Sequence, residues 1–132
     1  MFLIKKKRNG NRFLKIKRWI KIKVNDLINI MEIEVINLND GNREITGGYT
    51  GDLLSNVMAN ADTGDIWITI QGHQNAVAVA LLVEISAIII AENSEIEDKA
   101  IKRAEEKGIN LLRSPLSAFE IAGKLYNNGI TP

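Results

Sequence analysis

The sequence of 132 residues contains no cysteine, one histidine and two prolines. The absence of cysteine excludes disulfides, iron–sulfur clusters and thiolate zinc sites, and it suits a reducing compartment, so we expect a cytoplasmic protein. A single histidine leaves no histidine pair for zinc or iron, and we expect neither a metal nor a cofactor. The apolar stretch 76–91 is interrupted by Glu84 and Ser86, and it is shorter than the roughly 20 residues that a membrane span requires.

Acidic residues are missing from the first part of the chain. Residues 1–23 contain ten Lys or Arg and no acid, whereas the rest contains seven bases and all sixteen acids, a net charge of −9. Cationic and aromatic side chains together could contact anionic lipid or a nucleic-acid backbone, but the apolar residues do not follow the period of a surface helix. We therefore interpret 1–22 as a poorly ordered leader or a start site assigned too early, and 23–132 as one folded domain without a nucleic-acid role.

Short apolar runs alternate with helical periodicity over the rest of the chain. The uninterrupted run Ala87 to Ala91 is typical of a central strand that is covered on both faces. Such alternation predicts a three-layer α/β/α fold with a largely parallel sheet of about five strands and right-handed crossovers. The strands are expected at 33–36, 66–70, 87–91 and 109–112, with a further short one at 43–46, and the helices at 25–30, 52–61, 75–85, 95–107 and 117–127.

Some helix ends are also predicted. Asp52 or Thr50 is expected near the cap of the second helix, and Asp65 is assigned to a cap or turn. Ser94 is expected to cap the fourth helix, whose acids come early and bases late in agreement with the helix dipole, and Gly108 to end it. Ser117 and Glu120 form a capping-box pattern at the start of the last helix.

A glycine-rich segment, residues 46–52, is predicted to be a loop that leads into a helix. Its glycines would let backbone amides approach a ligand, and the positive end of the next helix would suit a phosphate. It matches neither a dinucleotide fingerprint nor a P-loop, because no Gly-Lys-Ser/Thr follows. A tight turn with close packing between strand and helix explains the same glycines.

Two other segments follow predicted strands. Residues 71–75 hold four hydrogen-bonding side chains within five residues, a density that favours recognition. Ser114, in the segment 113–117, could meet an anion at a helix N-terminus or merely help to start that helix. His73 has no Gly-x-Ser-x-Gly elbow to act on, and no nucleophile with its base is evident, so we do not expect an enzyme.

Three blocks of the sequence closely resemble the DRTGG domain. They are residues 42–55, 64–71 and 114–120, and the similarity runs from about Lys23 to Ile130. The name motif corresponds to Arg43, Thr46, Gly47 and Gly48, and Asn42 stands where an aspartate is usual, so a role that needs that carboxylate is in doubt. The resemblance implies an α/β domain similar to the N-terminal domains of HPr kinase/phosphorylase and of the Mur ligases, commonly a homodimer that regulates or joins other parts.

We therefore predict a non-catalytic regulatory or accessory module, a homodimer that binds a small phosphorylated or nucleotide-like ligand. The predicted ligand-binding residues are Arg43, Thr46, Gly47, Gly48, Tyr49, Asp52, Gln71, His73, Gln74 and Ser114. The alternative is a ligand-free dimerisation or scaffold module with a protein partner, in a complex that the resemblance suggests could involve a hydrogenase. Its contact surface would be an apolar patch around Trp67, Tyr49 and Leu53.

Overall fold

The computed structural model describes residues 21–132. The predicted poorly ordered leader falls almost wholly on residues 1–20, outside the described part. Lys21 and Ile22 are described and contact the folded body: the Lys21 ammonium lies 3.3 Å from a Glu44 carboxylate oxygen, and the Ile45 N–H donates to the Ile22 carbonyl oxygen at 2.8 Å.

Strands and helices alternate after a short helical start. The strands are β1 (Glu34–Asn37), β2 (Gly47–Thr50), β3 (Asp65–Thr69), β4 (Ala87–Ile90) and β5 (Leu111–Arg113). The helices are α1 (Leu27–Ile30), which follows a 3₁₀ turn over Val24–Asp26, α2 (Leu54–Asn60), α3 (Gln74–Val83), α4 (Asp98–Lys107) and α5 (Ala118–Asn127).

The five strands form one sheet in the order β1-β5-β4-β3-β2. Strands β2 to β5 are parallel, and β1 runs antiparallel to β5 with Val35 opposite Leu112. The carboxyl ends of the four parallel strands therefore share one end of the sheet, which we call the carboxyl edge, and their starts share the opposite amino edge. The predicted largely parallel α/β fold is confirmed.

Two apolar cores cover the two faces of the sheet. On one face, α2, α3 and α4 pack through residues such as Val57, Val77 and Ala104. On the other, α1 and α5 pack through residues such as Leu27 and Ile121. All four residues of β4 are buried, as expected for a central strand that has helices on both sides.

Several local predictions are confirmed. Ser117 Oγ accepts the Glu120 N–H at 3.2 Å while the Glu120 carboxylate accepts the Ser117 N–H at 3.1 Å, the capping box predicted for α5. Gly108 ends α4 in the left-handed conformation, with φ +70°. The predicted Ser94 cap is wrong, because α4 begins only at Asp98 after the N-cap residue Glu97.

The predicted glycine-rich loop 46–52 is wrong. Gly47–Thr50 is strand β2, in parallel register with β3 from Gly47 opposite Asp65 to Thr50 opposite Ile68. The strand predicted at 43–46 is reduced to a single bridge between Lys23 and Glu44. The connection from strand to helix is therefore short, and Asp52 does not cap α2, which starts after Leu53 without a side-chain cap.

No helix among the described residues is long and apolar enough to cross a membrane.

Candidate functional site

Three of the predicted ligand-binding residues lie at the amino edge of the sheet. Arg43 Nη2 donates to the Glu84 carbonyl oxygen at 2.7 Å, at the end of α3. Thr46 Oγ1 donates to the Thr63 carbonyl oxygen at 3.3 Å. Gly47 starts β2 beside Asp65. All three contacts tie together the connections that lead into β2, β3 and β4, so these residues have structural roles.

Gly47 and Gly48 are in different surroundings although they are adjacent. A Cβ on Gly47 would lie 2.6 Å from Asp65 Oδ1, whereas a Cβ on Gly48 would have the Ile66 carbonyl oxygen as its nearest neighbour at 3.7 Å. Real Cβ atoms do not approach to the first distance, and the second is an ordinary van der Waals contact. Of these two glycines, Gly47 is therefore the one that the packing of the fold requires.

Asp65 was missed by sequence reasoning, which assigned it to a turn. Its side chain is buried, and Oδ2 accepts the Asp62 N–H at 2.9 Å. Burial raises the pKa of the Asp65 carboxyl, and the nearby Asp62 charge raises it further, against the effect of the Asp62 hydrogen bond. The residue therefore helps to hold the amino edge together. The sequence alone does not distinguish a buried carboxyl group after a glycine turn from an exposed one.

Gly48 and Tyr49 lie within β2, which is the last strand in the order of the sheet and has a neighbouring strand on one side only. Together with α5 and the last residues of the chain they line an apolar groove of about 280 Å³. Trp67 does not take part in it, because its side chain is 0% exposed and Nε1 donates to the Gly51 carbonyl oxygen at 2.9 Å. The predicted apolar patch around Trp67 is therefore wrong, although Leu53 is exposed.

Asp52 and Gln71 meet at the carboxyl edge. Asp52 Oδ1 accepts the Thr69 hydroxyl at 2.9 Å and the Ile70 N–H at 3.0 Å, and Gln71 Nε2 donates to the Asp52 carbonyl oxygen at 2.9 Å. These bonds join the end of β2 to the end of β3. Five residues of extended chain separate Asp52 from Gly47, a distance of about 15 Å, so the predicted residues do not form one site.

His73 and Gln74 lie where α3 begins. His73 Nδ1 accepts the Asn75 N–H at 3.0 Å as the N-cap of α3, and Nε2 lies 3.7 Å from a Glu97 carboxylate oxygen. A small depression of about 280 Å³ is lined by Gln71, Gly72, His73, Glu95 and Glu97. It offers hydrogen-bond donors and acceptors, and its two glutamates disfavour a phosphate at this point.

Ser114 is near the same edge but is fully buried. Its Oγ accepts the Leu116 N–H at 3.2 Å, and its carbonyl oxygen accepts the Asn93 N–H at 2.9 Å. The residue holds together the connections after β4 and β5, and its hydroxyl does not face solvent. Asp52, Gln71, His73 and Gln74 are thus the predicted residues that the structure brings together at the carboxyl edge.

The carboxyl edge offers hydrogen-bond donors and acceptors. His73 accepts the Asn75 N–H there and lies 3.7 Å from a Glu97 carboxylate oxygen. Among residues 21–132, no three His, Cys, Asp or Glu side chains are placed to hold a metal ion.

The family model of the DRTGG domain matches residues 26–127. The chain belongs to the DRTGG domain family. This confirms the resemblance that the three sequence blocks indicated, and the matched range includes all five strands. No curated protein matches the chain.

One solved structure that is similar to this DRTGG domain comprises the CBS and DRTGG domains of the regulatory region of Clostridium perfringens pyrophosphatase, complexed with the activator diadenosine tetraphosphate. The TM-score is 0.68 at 15% sequence identity, with 80% of this chain and 46% of that chain covered. The likeness shows a shared fold, and this chain spans less than half of that regulatory region.

Proposed function

We propose that this DRTGG domain is a non-catalytic regulatory module that binds a small phosphorylated or nucleotide-like ligand at its carboxyl edge. The observation that carries the proposal is the meeting of Gln71, His73 and Gln74 at that edge. Ligands of open α/β sheets gather outside the carboxyl ends of the strands. Gln71 is held by the end of β2 and His73 by the first turn of α3, so the site would be largely preformed.

The similar regulatory region supports the proposal, because that protein is complexed with a nucleotide activator. A regulatory role also agrees with the hydrogen bonds of the edge. Asp52, Thr69 and Gln71 join two neighbouring strands, and a ligand seated on them would stiffen both strand ends at once. The amino-edge residues Arg43 and Thr46 are left out of the proposed site because the fold uses them.

Ligand binding is tested by thermal unfolding and calorimetry with a panel of nucleotides and phosphorylated metabolites. A ligand at a hundredfold excess over its Kd raises the unfolding free energy by about 2.7 kcal/mol. His73→Asn keeps an acceptor at the N-cap and Gln74→Ala removes only a partly buried side chain, so both should fold and bind more weakly. Ser55→Ala on α2 is the control, which should bind like the wild type. A panel in which no compound binds would overturn the proposal.

A second candidate function is homodimerisation through α5. Phe119 is 88% exposed and Tyr126 is 53% exposed, and with Ala122 and Gly123 they form one stripe of the helix, because residues three, four and seven apart share a face. Phe119 is the most exposed large apolar side chain among residues 21–132, and Gly123 beside it has open space around it. Tyr126 also lines the apolar groove next to β2, so the stripe and the groove are continuous.

The charges on α5 favour a second copy of this chain as the occupant. Glu120 and Lys124 are two positions before and after Ala122, and both lie on the same side of the stripe. In an antiparallel pair of α5 helices with the two-fold axis at Ala122, Glu120 of each copy lies opposite Lys124 of the other. The apolar stripes then face one another.

Sedimentation equilibrium at micromolar concentration tests the dimer. Phe119→Ser should give a monomer without loss of stability, because the side chain is already exposed in the single chain. Leu82→Ser is a matched control: Leu82 is 68% exposed on α3, on the opposite face of the sheet. A monomeric wild-type protein, or a dimer that persists in Phe119→Ser, would refute this interface.

A further inference from the structure

Four of the seven Lys or Arg cations that follow Lys23 in the sequence are on one helix. Arg43 is bonded to Glu84, Arg113 is paired with Glu34, and Lys124 lies on α5. The other four are all on α4: Lys99, Lys102, Arg103 and Lys107.

These four cations line a single groove. It has a volume of about 440 Å³, and its lining is completed by Gln74 of α3 and by Glu106. Residues three, four and eight positions apart lie on one side of a helix, so the groove follows the side of α4 next to the start of α3. Val77 of α3 and Ala100 and Ala104 of α4 are buried in the same apolar core.

Within residues 21–132, none of the groove cations forms a salt bridge with a carboxylate. The basic side chains that lie close to a carboxylate in this range are Lys21 at Glu44, His73 at Glu97 and Arg113 at Glu34. Arg103 is half-buried and the three lysines are exposed. Like charges held this close repel one another, and a bound anion would remove the repulsion. The concentration is notable because the residues after Lys23 carry a net charge of −9.

We infer that this groove binds the phosphate chain of the ligand, and that the ligand is a nucleoside di- or triphosphate or a molecule with the same phosphate chain. The inference rests on the proposed regulatory function and names its ligand class. A guanidinium binds phosphate oxygens in a bidentate manner, and ammonium groups add point charges around it. Arg103 is the anchor because its half-buried position restricts its side chain.

The two depressions at this end of the molecule also orient the ligand. His73 lines the polar depression and Gln74 lines the basic groove, so the two adjoin across one peptide bond. Glu95 and Glu97 repel phosphate but accept hydrogen bonds from ribose hydroxyls or amino groups of a base. The nucleoside therefore lies toward His73, and the phosphates lie toward Arg103.

Isothermal titration calorimetry at low salt with ATP, inorganic triphosphate and adenosine tests this assignment. ATP and triphosphate should bind the wild-type protein, and adenosine should bind much more weakly. In the double variant Lys102→Gln/Arg103→Gln, the Kd for ATP and for triphosphate should rise about tenfold, which corresponds to about 1.4 kcal/mol of binding free energy. Raising the salt concentration to 0.5 M should weaken the binding of ATP and of triphosphate to the wild-type protein through screening, by roughly the same factor for the two ligands.

Two further variants make the outcome decisive. Lys99→Gln/Lys107→Gln changes only exposed side chains and should weaken the binding of ATP and triphosphate in the same way. Lys124→Gln removes a cation outside the groove and should leave the binding of both unchanged. Nucleotide binding that both groove variants leave unchanged would overturn this inference while the proposed function stands. Tight binding of adenosine alone would overturn it too. If neither ATP nor triphosphate binds the wild-type protein, the inference fails, and the wider ligand panel decides the proposed function separately.

Discussion

Replacing Gly47 by alanine should destabilise the domain, whereas the same change at Gly48 should not. A Cβ at position 47 would lie 2.6 Å from Asp65 Oδ1, and the Asp65 side chain cannot swing into solvent because it is buried and its other oxygen accepts the Asp62 N–H. Moving the carboxyl group breaks or stretches that hydrogen bond, and leaving a buried polar group unsatisfied costs about 1 to 3 kcal/mol.

The unfolded chain acts in the opposite direction. Alanine restricts it more than glycine does, which stabilises the folded state by about 0.4 to 1 kcal/mol at a position that accepts alanine without strain. Gly47→Ala should therefore lose about 1 to 2 kcal/mol net, and Gly48→Ala should gain a few tenths because its new Cβ has its nearest neighbour at 3.7 Å. The two variants should differ by about 2 kcal/mol, or roughly 8 °C in Tm for a domain of this size.

Urea denaturation followed by circular dichroism measures the difference. The cause is tested by repeating Gly47→Ala in an Asp65→Ser background, where the shorter side chain leaves room and the loss should shrink. An equal loss at Gly47 and Gly48, or a loss at Gly47 that Asp65→Ser does not reduce, would refute the reasoning.

Three other predictions concern the same framework. Burial raises the pKa of the Asp65 carboxyl above its ordinary value of 3.8, so the stability linked to its protonated form is complete below that value and is lost as the pH rises through the folded pKa. The free energy of unfolding of the wild type, measured relative to Asp65→Asn, should accordingly fall as the pH rises above about 4, and a difference independent of pH would contradict this. Asn110→Ala should lose about 3 kcal/mol in urea denaturation, because the buried amide accepts from two backbone N–H groups and donates to two carbonyl oxygens; a loss below about 1 kcal/mol would show that water replaces it. Arg43→Ala should lower stability by about 0.5 to 1 kcal/mol, since the Glu84 carbonyl oxygen loses one of its two donors and keeps the Gly64 N–H, and should leave nucleotide affinity unchanged in calorimetry; the reverse result would place Arg43 in the ligand site.

The predicted site residues lie at two opposite ends of the sheet because β2 runs between them. Consecutive glycines at 47 and 48 are typical of a turn, and that local signal predicted a loop at the end of a strand. Pairing with Asp65 and Ile66 of β3 instead makes these glycines the start of a strand. Arg43 and His73 consequently lie at opposite ends of the sheet, and no property of the segment 43–51 alone indicates this.

The basic groove escaped sequence reasoning for a related reason. Acids early and bases late in α4 agree with the helix dipole, which accounts for the charges without a ligand. Only the packing of α3 against α4 brings Gln74 beside Lys102 and Arg103. A periodic pattern shows which residues share a face of one helix, but it does not show which neighbour that face meets.

The sequence by itself determined the class of fold, the family, the central strand β4 and both the start of α5 and the end of α4. Each of these depends on the alternation of apolar and polar runs or on hydrogen bonds within a turn or two of chain, as between Ser117 and Glu120. Tertiary structure alone decided that the glycine pair is a strand, that Trp67 and Ser114 are buried, and that four cations face one groove. Those outcomes require contacts between residues far apart in the chain, and their energies depend on which surfaces meet once the sheet has closed.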